Sequence, residues 1–115
     1  MMQDVLVYLS GPITAANGYL VEENTASALK VYIALLQAGV PSFCPHLSAA
    51  FPSAFSDISY DVWLDYDFAV IRRCTHVLML PRWETSKGAG IERSHAKRLG
   101  LPVFESIEQL QEALL

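Results

Sequence analysis

The chain has 115 residues, 52% of them hydrophobic and 17% charged, with a formal net charge of −4. That length and balance describe one globular domain over residues 1–115 and exclude a disordered or linker-rich chain. Its 8 basic residues form no stripe, which excludes a nucleic-acid polymer as partner but leaves a small phosphorylated ligand open.

In chain order, Val5–Ser10 (VLVYLS) is a short apolar run that predicts a strand covered on both faces. The acidic, brief stretch around it does not fit an export signal, and no run approaches the ~20 apolar residues of a membrane span. A helix is predicted over about Val21–Ala38. It is apolar all round, through Ala26, Ala28, Leu29, Val31, Tyr32, Ile33, Leu35 and Leu36. In so small a domain this predicts a second burial surface, hence a homo-oligomer through the first helix.

A second strand is expected at Val40–Cys44, followed by an aperiodic loop at 46–59. Helical patterns over Tyr60–Cys74 and about Ala89–Leu99 flank a strand at His76–Leu80. A strand at Leu101–Phe104 and a helix at Ile107–Leu114 finish the chain. Gly39 and Gly100, in "LLQAGVP" and "AKRLGLP", read as residues that end helices and lead into strands. Strands alternating with helices predict a flavodoxin- or Rossmann-like three-layer α/β sandwich whose parallel sheet has four, at most five, strands. Cys44 and Cys74 lie in apolar runs (PSFCP and VIRRCTHV) and read as core thiols of a soluble, cytoplasmic protein not bound to a membrane.

Two carboxylates stand out. On a helix, Tyr60, Trp63, Leu64, Phe68, Val70, Ile71 and Cys74 form one stripe, and Asp61, Asp65, Arg72 and Arg73 the other side. Asp67 lands within the apolar stripe. In "SKGAGIERSHAKRLG" the inner face is Gly88, Ile91, His95, Ala96 and Leu99, with Glu92 at its edge and in the expected first turn. A buried carboxylate is costly unless paired or protonated. The apolar stripe favours neutral Asp67, and the helix dipole favours ionised Glu92. Such a split pair suits a nucleophile and a general acid.

The stretches "YLSGPIT", "YDVWLDYDFAVIRRCTHVLMLP" and "WETSKGAGIERSHAKRLGLPVF" resemble the nucleoside 2-deoxyribosyltransferase-like superfamily, and more narrowly its small DUF4406-type members. The resemblance implies that Glu92 attacks the anomeric carbon to form a glycosyl ester and that Asp67 assists departure of the base. It also implies that Tyr8, Ser10 and Gly11 line the sugar end. Ser86, six residues before the Glu, is similar to the serine of nucleoside 5′-monophosphate N-glycosidases, where deoxyribosyltransferases tend to have Asp. Those hydrolases carry Ser and Arg in the first loop where this chain has Pro12 and Thr14.

The implied substrate is a small nucleoside or nucleoside 5′-monophosphate, with Gly88 and Trp83 as further pocket residues and Trp83 offering a face to a base. Ser86 equally fits a helix cap, and Trp83 a cover for the core. His46 fits a pocket or a loop surface, and His95 a packed residue or an orienter of Glu92. No metal constellation, Walker A sequence or GxGxxG after the first strand is present, so no cofactor is expected. The pattern is shared by a hydrolase, a transferase and a non-catalytic nucleotide-binding sensor on the same fold.

Overall fold

Side-chain alternation along the short strands decides the architecture. A computed structural model of the chain describes residues 1–13, 18–50 and 58–115, the backbone alone at 18–21 and 48–50. Its strands are β1 (Val7–Ser10), β2 (Ser42–Phe43), β3 (His76–Met79) and β4 (Val103–Phe104), all parallel in the order β2-β1-β3-β4. The helices are α1 (Gly18–Gln37), α2 (Tyr60–Ile71), α3 (Lys87–Arg98) and α4 (Ile107–Leu114).

Val7, Leu9, Leu78 and Leu80 pack on one face of the sheet against Ala28 and Leu35 of α1 and Leu110 of α4. Tyr8, Val77 and Met79 pack on the other against Ile71 of α2 and Ala89 and Ala96 of α3. Both faces are therefore apolar, which is why the strands read as continuous hydrophobic runs. The result is the three-layer sandwich, with four strands among the described residues. Cys44 and Cys74 are free and buried, one in each layer of core.

The outer strands are shorter than expected because proline opens each one. Pro41 and Pro102 have no N–H, yet their carbonyls accept from Val7 and Val77 at 3.0 Å, so the ladder starts one-sided. The predicted helix exits hold in detail. Gly39 and Gly100 lie at φ 77° and 79°. Val40 N–H donates to Leu35 and Leu101 N–H to Ala96, while each glycine N–H donates to Leu36 or Lys97, the paired C-cap bonds that close a helix end.

Other boundaries moved. The 46–59 loop was expected to lack structure, but a 3-10 helix runs over Pro45–Ala50; residues 51–57 of that loop lie outside the described residues. A second 3-10 turn, Trp83–Thr85, precedes α3. α3 starts two residues earlier than expected because Ser86 Oγ accepts from Ala89 N–H at 3.1 Å and caps it. On α1, Ile33 is 50% and Leu36 47% exposed, while Ala28 and Leu35 are buried. Among the described residues, no helix is long and apolar enough to cross a membrane.

Gly11 follows β1 where the backbone passes close to Leu80. A Cβ there would lie 2.7 Å from Leu80 Cβ, and neither atom is a free side-chain end. Gly11→Ala is expected to cost about 1–3 kcal/mol through overpacking, read as a fall in Tm by several degrees.

Candidate active site

The period of two along β1 places Tyr8 and Ser10 on the face covered by α2 and α3. The small Ala89 and Ala96 let α3 lie close to that face, and Glu92 falls between them on the buried side. Tyr8 Oη donates to Glu92 Oε2 at 2.9 Å, and Ser10 Oγ donates to Oε1 at 2.7 Å. Both hydroxyl residues are fully buried and Glu92 is 7% exposed. Asp67, half-buried on α2, completes the cluster, its carboxyl close enough to Glu92 and Tyr8 to interact with both.

Glu92 is the sixth residue of α3, not a member of its first turn. The dipole effect falls off within the first turn, and burial takes over. The inner face of α3 is Ala89, Glu92 and Ala96, whereas Leu99 is exposed. Glu92 therefore sits at the centre of the buried face, not at its edge. Burial, reinforced by the hydrogen bond and negative charge of Asp67, pushes the Glu92 carboxyl up to about 8. Burial also raises Asp67, but its hydrogen bonds to Glu92 and Tyr8 pull the other way. The pair titrates as a unit and shares one proton near neutrality, with burial raising both carboxyls. Burial, not the helix dipole, therefore governs Glu92.

The two carboxyls lie in the wall of a cavity of about 540 Å³, large enough for a nucleoside-sized ligand. Its apolar wall includes Ile13, Pro45, Trp63 and Leu64, and its polar side is Thr85, Ser86 and Lys87 at the start of α3. Gly11 and Gly88 supply backbone to the lining. A Cβ on Gly88 would lie 3.1 Å from Tyr60 Oη, so this glycine leaves room for the tyrosine at the rim.

The expected site residues thus divide. Asp67, Glu92, Gly11, Ser86 and Gly88 line the cavity. Tyr8 and Ser10 stand behind Glu92, where they hold the carboxyl without reaching the cavity wall. Ser86 is both a cap and a lining residue. Trp83 packs on the core of the α2–α3 layer, with the Arg93 guanidinium 4.8 Å over its ring, and is not part of the wall; Trp63 is the tryptophan that faces the cavity. Lys87 lines the cavity, whereas Arg82 bonds Asn24 at 2.6 Å and pairs with Glu23. Pro12 lies beside the lining and Thr14 lies outside the described residues.

His46 is neither a pocket nor a surface residue. It is buried, and its Nε2 lies 3.0 Å from the Pro12 carbonyl. A carbonyl only accepts, so Nε2 carries the proton, and burial lowers the pKa of the ring and keeps it neutral. The histidine ties the loop after β2 to the loop after β1, both of which contribute to the cavity. His95 stacks on Phe68 with ring centroids 4.1 Å apart, a packed residue and not an orienter of Glu92. The sequence signal for Ile13, Pro45 and Ile58 as lining was their position in loops following strand carboxyl ends, where open α/β sheets bind ligands.

The family model described as "Domain of unknown function (DUF4406)" matches residues 5–105. Comparison with curated proteins gives no match.

Proposed function

The chain belongs to the DUF4406 family, a domain of unknown function, and from its site we propose that it cleaves the N-glycosidic bond of a nucleoside or nucleoside 5′-monophosphate. The observation that carries this reading is the joined carboxyl pair, Glu92 and Asp67, in one wall of a nucleoside-sized cavity. The resemblance to the nucleoside 2-deoxyribosyltransferase-like superfamily supports the same reading, with the homologous roles on these two residues.

The chemistry follows from the shared proton. On binding, the shared proton settles on Asp67, leaving Glu92 as a carboxylate already held by Tyr8 and Ser10. A Glu92 oxygen attacks C1′, the C1′–N bond breaks, and Asp67 delivers its proton to the departing base. The products of this step are the neutral base, a glycosyl ester of Glu92 and ionised Asp67. Water then adds at C1′ while Asp67 takes its proton; the ester oxygen leaves, and the pair again holds one proton. A second base in place of water makes the same step a transfer. Trp63 and the apolar wall suit a base, and Ser86 and Lys87 suit the polar end of the ligand.

The test is a panel of nucleosides and their 5′-monophosphates, ribo and deoxyribo, followed chromatographically for free base, with and without an acceptor base. Release from at least one compound is the expected result. Saturable binding with no release from any compound would leave a non-catalytic sensor as the better reading.

A further inference from the structure

The back of α2 carries a feature that the cavity does not use. Val62, 57% exposed, and Tyr66, 50% exposed, fall on one outward stripe that Ala69 extends and that Ile58, 41% exposed, continues before the helix. Beside the stripe, on one flank, lie Asp61 and Asp65 toward the N-terminus and Arg72 at the C-terminal cap. All three charged residues are exposed, and none has an ion-pair partner among the described residues. Arg73 is the next position of the stripe itself and closes its C-terminal end, where its guanidinium folds back on the Ala69 carbonyl at 2.6 Å.

We propose that this face binds a second copy of the chain, α2 against α2 in antiparallel orientation about a two-fold axis. The charge order selects that occupant. A two-fold perpendicular to the helices keeps the same flank on the same side in both copies and reverses the chain direction. The midpoint of Asp61 and Arg72 falls between Tyr66 and Asp67, so an axis there sets Asp61 against the partner subunit's Arg72, and Arg72 against the partner subunit's Asp61. The same axis brings the two apolar stripes together at Tyr66. An isologous contact of this kind is closed and self-complementary, and antiparallel helices also oppose each other's end charges favourably. Parallel packing would set the acidic ends side by side.

The first helix offers a weaker case. A two-fold pairing Glu22 with Lys30, the one cation of α1, centres on Ala26 and leaves the exposed Ile33 and Leu36 beyond the contact. The α2 surface is independent of the proposed chemistry, although its opposite side carries Trp63, Leu64 and Asp67. A single short helix face is a small interface, so a concentration-dependent dimer of roughly micromolar affinity is expected.

Sedimentation velocity on the full chain over the micromolar range tests it, with circular dichroism to verify folding. The wild type is expected to pass from monomer to dimer, and Val62→Glu to remain monomeric with an unchanged spectrum. Asp61→Arg and Arg72→Asp are each expected to weaken the dimer at least about fivefold, within the range of one surface charge pair. The double exchange Asp61→Arg/Arg72→Asp is expected to restore it, which a folding defect would not do. A wild type that stays monomeric overturns the proposal. So does a dimer indifferent to Val62→Glu but lost in Ile33→Glu, or a double exchange that rescues nothing.

Discussion

The Glu92→Gln protein is expected to lose base release by roughly three orders of magnitude or more while melting at a higher temperature than the wild type at pH 8. The two effects have one origin. Glutamine keeps the shape of the side chain but has no carboxylate to form the ester. It also removes the cost of ionising a group enclosed by Tyr8, Ser10 and Asp67. Unfolded, a glutamate loses its proton near its ordinary value of 4.5; folded, Glu92 holds it up to about 8. Between those values the folded chain binds more protons, so wild-type stability falls as pH rises through this window. Below it both states are protonated and the difference between variant and wild type is smallest. At pH 8 a gain of about 1–2 kcal/mol, or roughly 5 °C, is a conservative reading of so large a shift. Calorimetry at pH 5 and pH 8 provides the check. A variant with unchanged turnover removes the nucleophile; a Tm difference that is flat with pH removes the buried shared proton.

That proton also marks where the sequence stopped being readable. The architecture was legible because it rests on local signals: apolar runs of strand length, the helix stripes, and the two helix-ending glycines at positive φ. The misplacement of Asp67 and Glu92 was legible for the same reason, since a carboxylate within an apolar stripe breaks a periodic pattern. Their ionisation was not. It depends on how deeply α3 sinks onto the sheet, and that is set by Ala89 and Ala96 together with the cap at Ser86, which shifted the helix start by two residues. A two-residue error in a boundary changes a first-turn residue into a second-turn one and so exchanges the helix dipole for burial as the governing effect. Trp83 and Trp63 illustrate a related limit. Both are half-buried, and only the packing of Arg93 on one and the opening of the cavity beside the other separates core cover from wall. His46 was illegible because its partner is a backbone carbonyl more than thirty residues away.

If Asp67 takes the shared proton and gives it to the base, the pH profile should carry the signature of the pair. Turnover requires one proton on the two carboxyls, so kcat/KM is expected to rise as the first proton leaves the pair and to fall above about pH 8 as the second is lost. Asp67→Asn separates the roles. It removes the charge and the hydrogen-bond acceptor that raise Glu92, so Glu92 should ionise at lower pH and the fall above pH 8 should disappear. It also removes the donor to the base, and base release should drop by roughly two to three orders of magnitude. An N7-methylated purine nucleoside carries its positive charge on the base already and leaves without being protonated. On that compound Asp67→Asn should lose far less than on the unmethylated one, whereas Glu92→Gln should remain inactive on both. Equal losses on the two compounds would mean that Asp67 positions Glu92 without donating a proton. A profile in Asp67→Asn that rises only near pH 8 would mean that the proton on Glu92 owes nothing to its neighbour, and one that still falls there would mean that another group supplies the proton.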